Sequence, residues 1–266
     1  MPGRFFLGAL FGFIIASASY AARFLTLSGS LVTFLLAVIV FGIGGWQWTV
    51  PIVTFFVLSS LLSQFARSRK QELELVFEKS STRDGGQVLA NGGVPGLLVV
   101  LSVLYPIYDF YPLYLGALAA VTADTWGTEI GVLLKGKPVC VLTFRSVAVG
   151  TSGGVSASGT VGGAIGAGVI ALSGYFWYAD LRIAAAIVTA GLVGSFVDSM
   201  MGASVQAQFL CEVCGKTTER RIHCGHAAQR NRGVEWVGND VVNSLCAMAG
   251  ALAAWGLMLL VCPSPI

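Results

Sequence analysis

The sequence predicts an all-α fold: a polytopic membrane bundle of seven or eight transmembrane helices. Three observations carry that reading. The 266 residues are 55% hydrophobic and only 11% charged, with mean hydropathy +0.78. A soluble domain carries roughly 25% charged residues. The apolar residues gather into runs long enough to cross a hydrocarbon core, which takes about 20 residues of helix. Most of the 34 glycines lie inside those runs, where small residues let helix backbones approach closely.

Taken in order, Phe5 to Ala22 and Leu25 to Gly45 are apolar runs interrupted at Arg23. They read as two short spans with a tight turn, or as one long bent helix. Trp46 and Trp48 suit a membrane interface, and Pro51 to Phe65 forms a further short span. A polar segment follows, Ala66 to Gly93, with Arg67, Arg69, Lys70, Lys79 and Arg83. Spans resume at Val94 to Tyr108 and at Tyr111 to Leu134. A second basic loop carries Lys135, Lys137 and Arg145 and runs into a Gly/Ser-rich segment, Gly150 to Gly163. That segment opens a span reaching Trp177. Another covers Ile183 to Val205, and the last runs from Asp240 to Val261. The third polar loop is the most basic, with Lys216, Arg220, Arg221, Arg230 and Arg232. By the positive-inside rule all three loops are cytoplasmic. Eight helices place them on one side with both termini opposite; merging the first two runs gives seven. Residues 1–266 read as a single integral membrane domain, with 207–238 as a cytoplasmic basic loop. A bacterial-type inner membrane is the expected location. The net charge of +3 belongs to these loops and does not argue for nucleic acid.

The chemistry is carried by acids where acids are costly. Asp124 and Glu129 stand in Ala123-Asp124-Thr125-Trp126-Gly127-Thr128-Glu129-Ile130-Gly131, inside an otherwise apolar run. An ionised carboxylate at mid-helix costs about 2.5–3.5 kcal/mol on insertion scales, so it normally faces a bundle interior and has a partner or a task. On a helix Asp124, Thr128, Gly131 and Lys135 share one face. Asp198 is a second such acid, on a face with Gly191, Gly194, Gly202 and Gln206. Asn239, Asp240 and Asn243 open the last span. Arg83-Asp84-Gly85-Gly86 with Asn91 reads as an acid followed by a flexible turn. Four aspartates and Glu129 near one membrane face need counter-charge. Such oxygen-rich clusters suit Mg²⁺, which keeps waters and bridges carboxylates to phosphates. The Gly150 to Gly163 segment, with Thr151 and Ser152, can cradle phosphate on backbone N–H groups at a helix start, or serve only helix packing. It lacks the Gly-Lys-Ser/Thr ending of a Walker A loop. Lys135, Lys137, Arg145, Arg230 and Arg232 are candidates to hold phosphate oxygens. Together these features point to phosphoryl or nucleotidyl transfer to a lipid.

One cysteine cluster stands apart. Cys211-x-x-Cys214, followed by His223, Cys224 and His226, has the spacing of a zinc knuckle. The predicted set is Cys211, Cys214, His223 and Cys224, a structural site that would stiffen the third loop. An incidental pair of reduced thiols is the alternative.

The motifs from Arg83 to Gly93, Ala123 to Gly131, Gly150 to Thr160, Asp198 to Gly202 and Asn239 to Asn243 resemble, in order, the membrane family of plant and cyanobacterial phytyl-phosphate kinases, to which animal transmembrane protein 19 belongs. The resemblance covers nearly everything past residue 80. It implies transfer of a γ-phosphate from a nucleoside triphosphate, CTP or ATP, to an isoprenyl monophosphate lipid in the membrane, giving the diphosphate. It implies Asp84, Asn91, Asp124, Glu129, Asp198 and Asp240 as catalytic candidates, with Asp124, Asp198 and Asp240 on Mg²⁺. Thr128, Lys135, Thr151, Ser152, Asn239 and Asn243 would then bind the nucleotide. A fainter similarity to phosphatidate cytidylyltransferases leaves a lipid-activating enzyme as an alternative, although Ser195 and Gly202-Ala203 replace that signature's acid and basic pair. A transporter or flippase using buried acids is the non-enzymatic alternative. A homo-oligomer is compatible with all three.

Overall fold

The computed structural model describes residues 2–70 and 82–261; most of the first basic loop, 71–81, lies outside that range. The described residues form eight helices: α1 (Pro2–Ala21), α2 (Leu27–Ile39), α3 (Trp46–Lys70), α4 (Gly85–Leu104), α5 (Tyr111–Leu133), α6 (Ala157–Tyr178), α7 (Leu181–Ser204) and α8 (Asn239–Val261). The first two apolar runs are therefore separate helices, and the count among the described residues is eight. Seven of the eight are long and apolar enough to cross a membrane, α2 together with the helical residues that continue it to Gly44. The remaining one, α5, is the central helix: Ala117 to Val121 are at most 2% exposed. The outside of the bundle is apolar, with Phe6, Phe13, Leu172 and Leu252 exposed, as contact with lipid requires.

Glycine and alanine set how tightly α5 to α8 pack. A Cβ on Gly250 of α8 would lie 2.5 Å from both Ala120 Cβ and the Gly116 carbonyl oxygen of α5. A Cβ on Gly163 of α6 would meet the Ala123 carbonyl oxygen at 2.9 Å. In lipid no hydrophobic effect drives helices together, so such backbone approach supplies much of the adhesion. The N-terminal half joins through side chains instead. Trp126 Nε1 donates to Ser59 Oγ at 3.1 Å, and the Tyr111 hydroxyl donates to the Gln47 carbonyl at 3.1 Å. A π-helical turn, Val40–Gly44, ends α2, and Gly45 at φ 65° reverses the chain.

α3 and α4 begin earlier than the spans read from the sequence. α3 runs from Trp46 to Lys70, beyond Pro51 to Phe65 at both ends. α4 starts at Gly85, nine residues before Val94, because Asp84 caps it. Asp84 accepts from the Gln87 N–H at 2.9 Å and the Gln87 side chain accepts from the Asp84 N–H at 3.1 Å, a reciprocal capping box. The Asp84–Asn91 stretch is thus helical, and the predicted flexible turn is absent from it.

The connections between α1 and α2, α3 and α4, α5 and α6, and α7 and α8 all gather at one end. The last two carry short strands. β1 (Val139–Cys140) pairs with β2 (Gly154–Val155). In the third loop β3 (Gln208–Leu210) pairs with β4 (Thr217–Thr218) and β7 (Gln229–Arg232), and β5 (Ile222–His223) pairs with β6 (His226–Ala227).

Candidate functional site

At that loop-bearing end the helices part around a cavity of about 280 Å³. Of the predicted residues, Asn91, Asp124, Thr128, Glu129, Thr151, Ser152, Asp198, Asn239 and Asn243 line it. They come from α4, α5, the β1–β2 loop, α7 and α8, so the cavity exists only in the folded chain. Asp84, Lys135 and Asp240 are not in its walls.

Its floor is acidic. The Asp124 and Asp198 carboxyls lie against each other. Two carboxyl groups in contact need a shared proton or a cation between them. Asp198 Oδ2 is buried with no hydrogen-bond partner. A third carboxylate, Glu219, is electrostatically coupled to Asp198 and arrives from the third loop. It is 9% exposed and accepts from Ser152 Oγ at 2.5 Å. A hard divalent cation fits this donor set: oxygen ligands only, more than one negative charge, and a buried oxygen still open to a bond.

Across the cavity Glu129 is buried and accepts from Ser63 Oγ of α3 at 2.8 Å. Arg83 is the cation in this wall. Its backbone is pinned by the α1–α2 connection, with Arg83 N–H donating to the Phe24 carbonyl at 2.9 Å and Thr26 N–H to the Arg83 carbonyl at 3.0 Å. Its guanidinium lies 5.4 Å from the centre of the Phe55 ring, a cation–π distance. Burial lowers its pKa to about 10, and the Glu129 charge opposes that shift.

The Gly/Ser segment divides into a turn, a strand and a helix start. Gly150 and Gly153 take φ of 86° and 79°, which only glycine adopts without strain. Between them Thr151 and Ser152 face the cavity. Ser156 then caps α6 by accepting from the Gly159 N–H at 3.1 Å. Gly153 rests against Ala203 of α7 so closely that a Cβ would overlap it. The turn is thereby held over Asp198.

Several predicted residues take other places. Lys135 follows the end of α5 at φ 50° and is exposed, so it does not continue the Asp124 face. Lys137, Arg145 and Arg230 are exposed and outside the cavity wall. Arg232 caps α7: it donates to the Ala203 carbonyl at 2.7 Å and the Gly202 carbonyl at 3.2 Å, and also to Gln208 Oε1 at 2.8 Å. A cation there complements the helix dipole. Asp240 lies in the first turn of α8, against Gly86 beside Asp84.

Several cavity residues had no assigned role in the sequence, among them Ser63, Arg83 and Glu219. Ser63 reads as one more small residue in a span, and Arg83 as part of a basic loop. Glu219, within Thr217-Thr218-Glu219-Arg220-Arg221, looks like solvated loop charge. Its position between the two halves of the Cys/His cluster was the available signal. In that cluster one ligand atom each of Cys211, Cys214, His223 and Cys224 lie within 4.8 Å of one another. His226 is exposed and is not among them.

Comparison with known proteins agrees with the membrane architecture. The chain is 29% identical to an uncharacterised membrane protein of Methanocaldococcus jannaschii, over 75% of this chain and 82% of that protein. It is 28% identical to Protein PGR of Arabidopsis thaliana, over 90% and 91%. It is 24% identical to Protein VTE6, chloroplastic, of the same plant, over 86% of this chain and 64% of that one. No solved structure matches. The family described as Integral membrane protein DUF92 matches residues 10–251, and the chain belongs to that family.

Proposed function

We propose that the protein is an Mg²⁺-dependent isoprenyl-phosphate kinase, transferring the γ-phosphoryl group of a nucleoside triphosphate to an isoprenyl monophosphate. The observation that carries this is the join between two cavities of opposite character. An apolar pocket of about 80 Å³ lies among α1, α2, α3 and α4, walled by residues such as Phe11, Leu36, Val53 and Phe56. It shares Arg83, Gln87 and Asn91 with the acidic cavity. An amphiphile with an anionic head fits such a place: phosphate at Arg83, hydrocarbon along α3. From Ser63 to Thr49 the pocket side of α3 spans about 21 Å of helix rise. The motif resemblance to phytyl-phosphate kinases supports the same acceptor.

In this reading an oxygen of the acceptor phosphate attacks the γ-phosphorus. The bond from that phosphorus to the β–γ bridging oxygen breaks, and the nucleoside diphosphate leaves. The attacking oxygen is already anionic, so no general base is needed, and positioning with charge neutralisation dominates. Asp124 and Asp198, with Glu219, would hold Mg²⁺, which would supply charge neutralisation on the phosphates. Thr151, Ser152 and the backbone of their turn receive nucleotide phosphates; Asn239 and Asn243 orient them. Arg83 holds the acceptor phosphate, with Gln87 and Asn91 beside it. Among the described residues, all lysines and arginines except Arg4 and Arg182 belong to the cavity's end of the bundle. The positive-inside rule turns that end to the cytoplasm, where nucleotides are available.

The test uses detergent-purified protein, phytyl monophosphate, Mg²⁺ and CTP, ATP, GTP or UTP in turn, with lipid diphosphate followed by mass spectrometry. Diphosphate that Asp124→Asn protein fails to make supports the kinase. No turnover with any nucleotide or chain length, by folded protein, overturns it in favour of transport.

A further inference from the structure

The Cys/His cluster lies outside the cavity and takes no part in the proposed transfer. Its two halves are built alike. Cys211 and Cys214 flank a turn closed by the Gly215 N–H on the Cys211 carbonyl at 2.8 Å and by the Cys211 N–H on the Lys216 carbonyl at 3.0 Å. His223 and Cys224 sit at the β5–β6 turn, where Cys224 and Gly225 both have positive φ, 52° and 79°. A two-residue turn of that type prefers Asn-Gly, so a cysteine there is held in a disfavoured conformation with its sulfur facing the other half. His223 Nδ1 lies 3.5 Å from Cys214 Sγ and 3.2 Å from Cys224 Sγ. Ligands around tetrahedral zinc, at about 2.3 Å for sulfur and 2.0–2.1 Å for nitrogen, are spaced roughly 3.5–3.8 Å apart. The His223 ring is 4% exposed and its Nε2 has no hydrogen-bond partner. Its orientation is therefore set from the Nδ1 side, by the sulfurs.

We infer that Cys211, Cys214, His223 and Cys224 bind a structural Zn²⁺, and that this ion fixes Glu219 against Ser152. Three sulfurs and one imidazole select zinc over the hard cations suited to the cavity. Only residues 215–222 separate the two ligand pairs, and Glu219 is among them. The strands of that loop are short: β4 and β5 are two residues each. Thr218 beside Glu219 is nonetheless 1% exposed. Clasping both ends of so short a loop supplies the order that strands of this length cannot. The zinc site stands independently of the kinase reading; the consequence for Glu219 at the cavity rests on it.

Metal analysis of protein purified without added metal tests the site. Wild type and Glu219→Gln should carry about one zinc per chain, and a Cys211→Ser/Cys214→Ser double variant about one tenth of that or less. Limited proteolysis tests the clasp. Chelation of wild type should speed tryptic cleavage after Lys216, Arg220 and Arg221 about tenfold, and zinc addition should reverse it. Folded wild-type protein without zinc overturns the proposal, as does a disulfide between Cys211 and Cys214. Zinc present, with cleavage after these residues unchanged by its removal, overturns the clasp. These readouts need no turnover, so they stand if the kinase assay fails. If that assay succeeds, unchanged activity after complete zinc removal overturns the link to Glu219.

Discussion

The Ser152 hydroxyl donates to a Glu219 carboxylate oxygen at 2.5 Å across 67 residues of sequence. This contact ties the β1–β2 turn to the third loop over the Asp124–Asp198 pair. It predicts that Ser152 and Glu219 act as one unit. Ser152→Ala and Glu219→Gln should each raise the nucleotide KM about tenfold, the equivalent of about 1.4 kcal/mol for a charge-assisted bond. The double variant should be little worse than the poorer single, and a fully additive double-mutant cycle would refute the coupling.

The Asp124–Asp198 pair predicts a link between metal and stability. In metal-free protein the two carboxyls must share a proton against the repulsion between them, with Asp198 Oδ2 buried and open, which should make that form less stable than it needs to be. Mg²⁺ at about 100 times its Kd should then stabilise wild type by about 2.7 kcal/mol. Asp198→Asn should remove both the repulsion and the response: a Tm at or above that of metal-free wild type, insensitive to Mg²⁺, with kinase activity lost. Thermal unfolding in detergent, with and without Mg²⁺, measures this. An Mg²⁺-dependent Tm rise that survives the substitution would place the cation elsewhere.

Arg83 predicts a split between two substitutions. Its backbone is pinned at Phe24 and Thr26, its guanidinium lies over Phe55, and it balances the buried Glu129. Arg83→Ala removes the cation and leaves that buried carboxylate uncompensated, a loss of about 3–5 kcal/mol where both groups are buried. Arg83→Lys keeps the charge and loses the planar fork. It should fold, bind nucleotide normally and show a raised KM for the lipid phosphate alone. A change confined to the nucleotide KM would move Arg83 from acceptor to donor.

The apolar pocket predicts chain-length selection. Val53 and Phe56 of α3 line it, beyond the Arg83 junction. Val53→Trp should block its far end. Comparing geranyl with geranylgeranyl monophosphate, the kcat/KM of the longer chain should fall about tenfold or more, while the shorter is little changed. Burying each methylene contributes about 0.8 kcal/mol, so losing a few gives that factor. Equal effects on both chains would mean the tail leaves by another route.

The helices and their acids were legible because lipid leaves few options. A run of some 20 apolar residues must be helical, and an acid inside one must face inward; Asp124 and Asp198 follow directly. The start of α4 was less legible. Gly85, Gly86, Gly92 and Gly93 lower helix propensity, yet Gly92 and Gly96 lie where a Cβ would press on Leu36, at 2.8 and 2.9 Å. Packing against α2 outweighs propensity there, and the Asp84 capping box completes the start. Glu219 was hidden for the opposite reason. Nothing local separates it from its charged neighbours, and only the folding of the third loop onto Ser152 buries it. A loop cation can serve a helix end as readily as a phosphate, as Arg232 does on α7.

The glycines supply a final prediction, one that separates packing from abundance. Gly250 and Gly256 stand on the same helix, six residues apart. At Gly250 an added methyl would lie 2.5 Å from Ala120 Cβ and from the Gly116 carbonyl oxygen; at Gly256 nothing lies within 4 Å. Neither neighbour of Gly250 is the mobile end of a long side chain, so α8 would have to move away from α5. Gly250→Ala should therefore destabilise by about 1–3 kcal/mol, the range for overpacking, and lower the Tm in detergent. It should also widen the cavity mouth, since Asn239 and Asn243 ride on the same helix. Gly256→Ala should leave Tm unchanged or raise it, because alanine improves helix propensity by up to about 1 kcal/mol where there is room. Equal Tm shifts for the two variants would show that glycine acts here through helix propensity, and that the close α5–α8 approach is not what holds the site together.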